Sequence, residues 1–218
     1  MYNLLLKDLK LGVNPWFIAM PFLMGALMLV PGWIYLIVLM YFYWISVPSI
    51  FAQYRGQNDL LFTSMLPVTR RDMVRARVSV FVILELLHIV VAMIYGLFTV
   101  RLYPNMDYYF FAPHLGFWGL GFVMLGIYNL FLFPLFYKTA YKYGPAQIAA
   151  IAAATIFAFA AQWAGIQSPY LSDLFNGSGA DHTGVQASIL AAGIAIFIAF
   201  TWIAYRISFR RFRQVEIK

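Results

Sequence analysis

The sequence predicts an all-α integral membrane protein with six transmembrane helices and both termini in the cytoplasm. Three observations predict it. The chain of 218 residues is 63% hydrophobic, with a mean hydropathy of +0.78. Only 11% of it is charged, where a soluble domain carries about 25%. The charges fall in short clusters separated by long uncharged windows, which is the mark of membrane spans. The net charge of +7 follows those clusters, so it reads as membrane topology and excludes nucleic acid as the expected partner.

The elements follow in order. Lys7 and Lys10 precede an apolar run far longer than the ~7–15 residue core of a cleavable signal peptide. Between Lys10 and Arg55 lie 44 residues without a charge. As one helix these would measure roughly 66 Å at 1.5 Å per residue, twice the ~30 Å hydrocarbon layer. Pro31-Gly32 lies mid-way and is a turn signal, so the run reads as a hairpin of spans 14–30 and 33–54. Pro15 and Pro21 predict a tilt or kink in the first. The third span is 78–100, interrupted by Glu85. The fourth is 113–137. Tyr143-Gly144-Pro145 opens the fifth, 145–165, and the sixth is 185–205, leaving a basic tail over 206–218.

Lysine and arginine fix the orientation. With six spans, one side receives Lys7, Lys10, Arg55, four arginines between 70 and 77, Lys138, Lys142, four arginines between 206 and 213, and Lys218. That is fourteen of the fifteen basic residues; the other side receives Arg101 alone. The favoured side is the cytoplasm.

Between spans two and three stands LLFTSMLPVTRRDMVRAR (60–77). Thr69 and Asp72 have the spacing of a capping box, in which each side chain satisfies a free backbone N–H. Pro67 keeps Leu66 extended, so a helix over 57–65 must break before a new one begins. The result is a short apolar piece held at a defined angle below the membrane. Its LLFTSML run is more apolar than a topology loop needs. The bland reading of the arginines, as topology signals touching anionic lipid, stands beside this one.

LPVTRRDMVRAR resembles the LP-[IV]-[ST]-R-[KR]-[DE]-[IVM]-V segment of ABC type-2 transporter permeases, the membrane subunits of bacterial exporters whose ATPase is a separate chain. The opening LLLKDLKL is similar to their N-terminal elbow helix, here 1–13. The resemblance implies a coupling segment over 57–72 seated in a cleft of the ATPase. Asp59, Leu60, Leu61, Phe62 and the residues to Leu66 would form the docking knob. Pro67, Arg70, Arg71, Asp72 and Arg75 would form the joint to span three. Tyr54-Arg55-Gly56 departs from the acidic residues many relatives carry after span two. The expected partners are ABC ATPase subunits, a second permease subunit (like or unlike) and the lipid bilayer of the cell membrane. The chain contains no G-x-x-x-x-G-K-[ST], so ATP and magnesium are expected in the partner, and no cofactor in this chain.

Several residues within the spans compete for a role. Glu85 and His88 lie on one face of span three near mid-membrane, where a charge is costly. They read either as a proton relay or substrate contact, or as a polar pair joining helices, with Asn129 able to bond across from span four. Tyr41, Tyr43 and Trp44 read either as packing or as an aromatic lining for a lipophilic substrate. The rows Ala146, Ala150, Ala154, Ala158 and Ala187, Ala191, Ala195, Ala199 predict close packing of span five on span six, or a contact between protomers. Trp16, Trp33, Trp118, Trp163 and Trp202 fit interface belts. The outer loop 166–186 is similar to family loops that carry re-entrant helices. Its Asn176-Gly177-Ser178 matches a glycosylation sequon, read as chance. Without cysteine, and with no histidine pair at ligand spacing, a metal site is not expected. An intramembrane enzyme would need catalytic groups clustered at one depth, and beyond Glu85 and His88 there are none. A motor-less channel or scaffold is the remaining alternative.

Overall fold

The computed structural model describes residues 2–139, 142–176 and 182–215, and all regular structure among them is helical. Helix α1 spans Tyr2–Gly12 and α2 spans Pro15–Gly25, continued by a 3-10 turn over Ala26–Leu29. Asn14 caps α2 by accepting from the Trp16 N–H at 3.1 Å, and Pro15 opens it, where a missing N–H costs nothing. The second span is one apolar column, Tyr35–Gly56. It consists of α3 (Tyr35–Tyr41), a π turn (Phe42–Ser46) and α4 (Val47–Gly56). A short helix α5 (Asp59–Ser64) follows, entered through Asn58 with φ of 49°. Then come α6 (Arg70–Leu102), α7 (Leu115–Lys138), α8 (Tyr143–Gln167), α9 (Pro169–Asn176) and α10 (Thr183–Phe212).

Five helices are long and apolar enough to cross a membrane, and the count becomes six if Asn3–Lys10 and Pro15–Leu29, bent by 70°, are counted as one. The expected first span, 14–30, is therefore the weakest of the six. Its straight part, Pro15–Leu29, measures roughly 22 Å, short of a ~30 Å core. Helix α6 has the opposite excess. Its 33 residues reach roughly 50 Å, so its first two turns project beyond the hydrocarbon. The chain is a multi-pass membrane protein.

Arg70 reaches the end of α10, and Lys7 reaches α5. The first helix, α5, the start of α6 and the end of α10 therefore meet at one end of the bundle.

Close approach of α7 and α10 holds the second half together. Gly119 has no room for a side chain, because a Cβ there would lie 2.5 Å from the Ile189 carbonyl oxygen. Gly193 faces the Gly119 backbone as closely. Phe197 and Ala204 continue the buried stripe. In lipid, where burying apolar surface between helices gains little, such backbone proximity supplies van der Waals contact instead.

This corrects the expectation that spans five and six pack on each other. Both pack on α7. Ala146, Ala150 and Ala154 are fully buried, but Ala187, Ala191, Ala195 and Ala199 are exposed. A spacing of four residues identifies a face without saying what covers it, and glycine allows a closer seam than alanine. Trp118 is corrected likewise. It is buried in the core and donates through Nε1 to the Pro113 carbonyl at 3.1 Å, whereas Trp16, Trp33, Trp163 and Trp202 are exposed.

At the other end, α9 lies in the connection between α8 and α10. Asn176 accepts from Ala112 N–H at 2.9 Å and donates to the Tyr108 carbonyl at 3.0 Å. Its amide is thus already committed, which argues against modification; positions 177 and 178 of the sequon lie outside the described residues.

A leucine at position 193 should force α7 and α10 apart, while Ala191→Leu on the exposed face should be tolerated. In detergent, Gly193→Leu is expected to lower the unfolding midpoint by roughly 5–10 °C, with Ala191→Leu unchanged. Fluorescence-detected gel filtration after heating measures both.

Candidate functional site

Two polar constellations stand out in a chain so poor in charge. The first lies at the meeting point of α1, α5 and α6. Arg77 is buried and faces Asp8 and Asp59, which are 2% and 4% exposed. Its Nε donates to Asp8 Oδ2 at 3.1 Å, and its Nη2 donates to Asp59 Oδ2. Lys7 closes the group, with Nζ 2.5 Å from Asp59 Oδ1 and 2.8 Å from Asp8 Oδ1. Lys7 also donates to Thr63 Oγ1 at 2.6 Å. The Arg77 guanidinium lies 3.4 Å from the centre of the Tyr54 ring, whose hydroxyl donates to the Asp8 carbonyl at 2.9 Å. Two cations and two carboxylates thus cancel in a buried site, where any one alone would be costly. Burial by itself would raise the Asp59 carboxyl, but Arg77 and Lys7 outweigh it and hold it below the usual carboxylate range.

This network locks α5. Asp59 and Thr63, four residues apart, share the inward face. The outward face consists of Leu61, Phe62 and Met65, exposed by 43%, 50% and 80%. Leu60 and Leu66 are half-buried and Pro67 is exposed. Asp59 therefore does not belong to the exposed surface of the segment, although the resemblance included it there. The reason is that a six-residue helix with one carboxylate at its start can pair it only on the side where Arg77 and Lys7 stand.

The turn into α6 is tied locally. Thr69 caps the helix by accepting from Asp72 N–H at 3.1 Å, and its hydroxyl donates to Asp72 Oδ2 at 2.6 Å. Arg70 donates to the carbonyls of Phe212, Arg213 and Val215 at 2.9–3.1 Å. It thereby caps the C-terminus of α10, where a cation is favoured. Arg71 donates to the Tyr205 hydroxyl at 3.1 Å, and Arg71 and Arg75 line a groove between α6 and α10.

The second constellation is within the membrane. Glu85 and Asn129 are fully buried. Asn129 Nδ2 donates to Glu85 Oε2 at 2.8 Å and to Thr201 Oγ1 at 3.2 Å, joining α6, α7 and α10. His88, though on the same face, points elsewhere. Its Nε2 donates to the Val38 carbonyl at 3.1 Å, and its ring lies 5.4 Å from that of Phe42. The polar pair expected of Glu85 and His88 is therefore two separate contacts, one to Asn129 of α7 and one to a backbone carbonyl of α3. Within the π turn, the Tyr43 carbonyl accepts from Gln147 Nε2 at 2.6 Å. Gln147 in turn accepts from the Tyr128 hydroxyl at 2.7 Å, and the Tyr128 and Tyr43 rings stack with centres 3.6 Å apart. Tyr43 is thus core, while Tyr41 packs edge-on against Trp44, which is 41% exposed. Tyr41, Tyr43 and Trp44 therefore do not form one lining.

Sequence reasoning missed Asp8, Gln147, Tyr128 and Thr201, and read Lys7 and Arg77 as topology signals. A signal existed for two of them. Asp8 is an acid amid basic residues, and Gln147 is an amide set in an alanine-rich span. No group of three or more metal-ligating side chains occurs among the described residues.

A family profile described as ABC-2 family transporter protein matches residues 3–213. The chain belongs to that family. It is a membrane permease of the ABC-2 type, a transport subunit rather than a catalyst, and the family typically partners with an ABC ATPase. No curated protein and no solved structure matches the chain.

Asp59→Asn should leave Arg77 partly unpaired in a buried site and cost the permease roughly 3 kcal/mol. The sign with pH follows from the lowered carboxyl. The stabilisation is complete above the ordinary aspartate range, about pH 4, and is lost as pH falls below it. The gap in unfolding midpoint between wild type and Asp59→Asn should therefore be constant from neutral pH to about pH 5 and shrink below pH 4. Thermal scans across that range measure it.

Proposed function

We propose that this permease is the membrane subunit of an ATP-driven exporter in a bacterial cell membrane, and that α5 is its coupling helix. In this reading α1 is the elbow helix on the cytoplasmic surface, and both termini are cytoplasmic. Two ATPase subunits bind below a pair of permease subunits, like or unlike. The cargo is an amphipathic peptide, drug or lipid-like molecule, by family analogy. The path runs between protomers, since one bundle this small is filled by its own side chains.

The observation that carries the proposal is the two-sided construction of α5. Leu61, Phe62 and Met65 are exposed at the basic end, outside the apolar spans. An apolar patch of this kind marks an interaction surface. The opposite face is bonded through Asp59 to Arg77, seven residues into α6. When ATP closes the ATPase pair, a push on Phe62 and Met65 passes through the ion cluster to the base of α6. It does not dissipate in a flexible loop. The capped start at Thr69 and the proline at 67 keep the angle, and α6 shifts as a rigid body. Arg70 carries the same displacement to the end of α10.

Phe62→Asp combined with Met65→Asp alters only exposed side chains, so insertion and thermal stability should stay within about 0.5 kcal/mol of wild type. Expressed with an ATPase encoded beside it, the wild-type chain is expected to retain that ATPase through purification. The double variant should lose it, together with at least ten-fold of transport activity. Retention of the ATPase at wild-type stoichiometry by the variant would contradict the docking role. A wild-type chain that never retains an ATPase would contradict the exporter reading itself.

A further inference from the structure

The groove between α6 and α10 takes no part in the coupling just described, yet it is graded in chemistry from one end to the other. On α6, Arg71, Arg75, Ser79 and Val82 recur along one face; on α10, Tyr205, Thr201 and Ile198 stand opposite. The groove encloses about 750 Å³. Its mouth, at the basic end of the bundle, is formed by the two arginines and Tyr205. Its far end is lined by Val82, Ile83, Phe197 and Ile198, with Ile83 and Ile198 exposed at the bundle's surface.

The arginines lack acidic partners. Among the described residues neither Arg71 nor Arg75 has an ion pair with a carboxylate. Asp72, the nearest acid in sequence, is bonded to Thr69. Arg71 is steadied by the Tyr205 hydroxyl, which leaves its remaining guanidinium donors for another acceptor. Among the described residues Arg75 has no hydrogen-bond or ion-pair partner. Next to the mouth, Arg206 stacks on Trp202 at 4.7 Å, adding a third cation without a carboxylate. An ordinary topology cluster needs positive charge near the surface but no groove beneath it. Here the charge stands over an apolar slot.

The dimensions agree with one kind of occupant. From Arg71 to Val82 a helix rises roughly 16 Å, about one leaflet of a ~30 Å hydrocarbon core. We infer that the α6–α10 groove holds one anionic phospholipid, with its phosphate bound by Arg71 and Arg75 and an acyl chain laid along Val82, Phe197 and Ile198. The forked donors of arginine match phosphate oxygens, and a zwitterionic headgroup would bring a cation to a site already rich in them. Thr201 lines this groove and accepts from Asn129, which bonds Glu85. The lipid therefore lies one hydrogen bond from the buried polar group that joins three spans. The inference rests on the membrane permease, not on the direction of transport or the identity of its motor.

The test is lipid retention. Wild type and Arg71→Gln/Arg75→Gln are reconstituted in nanodiscs of phosphatidylcholine with phosphatidylglycerol, extracted into mild detergent and weighed by native mass spectrometry. Arg210→Gln/Lys138→Gln removes the same charge from the same end of the bundle and serves as control. Wild type and control are expected to retain one phosphatidylglycerol through washing, and the Arg71/Arg75 variant to retain roughly 30-fold less. Inorganic phosphate at millimolar concentration should not displace it, since the acyl chain contributes to binding. Equal retention by all three proteins, equal retention of phosphatidylcholine, or release by phosphate would each overturn the assignment. Gel-filtration profiles identical to wild type show that the variant is folded when it is weighed.

Discussion

Arg77 between two aspartates is the contact on which the rest of the molecule depends. In a membrane protein the spans order themselves, because each helix satisfies its own backbone and its apolar surface faces lipid or neighbours. What the bilayer does not order is a six-residue helix outside it. Such a helix has too few hydrogen bonds to hold itself. Here it is held by Asp59, and Asp59 is held by an arginine on α6 and a lysine on α1. A neutral, four-member ion cluster in a buried site is costly to assemble and worse to leave incomplete. Its value is therefore geometric. It accepts one arrangement of three elements and rejects looser ones.

That arrangement has consequences at both depths of the bundle. Near the surface, inward-facing Asp59 and Thr63 leave the apolar side of α5 outward, so one constraint produces both the anchor and the exposed patch. Deeper, the same long helix that carries Arg77 carries Glu85 two turns on and His88 after it. Glu85 reaches through Asn129 to α7 and α10, and His88 reaches the π turn of span two. A displacement of α6 must therefore be accommodated at hydrogen bonds to three other spans. In the second half, α7 and α10 approach closely at the glycine seam, and α6 meets them through Asn129 and Thr201.

What could be read from sequence was what is local. Thr69, Asp72 and Pro67 fix a break and a helix start within six residues, and the uncharged windows pointed to the long apolar helices, although α6 begins at Arg70 and α10 runs on to Phe212, beyond the windows that announced them. The ion cluster could not be read in this way. Lys7, Asp59 and Arg77 are separated by long stretches of chain, and nothing in their spacing distinguishes a buried pair from solvated charges. The alanine rows failed for a related reason, since a face of small residues does not name its neighbour. The glycines at 119 and 193 were a clearer sign, because a residue with no side chain in the middle of a lipid-spanning helix costs helix propensity and is repaid by contact. Glu85 was legible as unusual, and Asn129 as a group able to bond to it across the spans, but His88 turned to the Val38 carbonyl of α3, a backbone group that no sequence pattern marks.

Coupling of this kind requires that α5 and α6 move as one body. Spin labels at Ser64 on α5 and Ile83 on α6, measured by pulsed electron paramagnetic resonance, report the separation of the two helices. A single narrow distance is expected, unchanged when the assembled transporter passes from its nucleotide-free to its ATP-bound form. A broad distribution, or a distance that changes on ATP binding, would mean that the ion cluster does not hold and that motion enters the spans by another route.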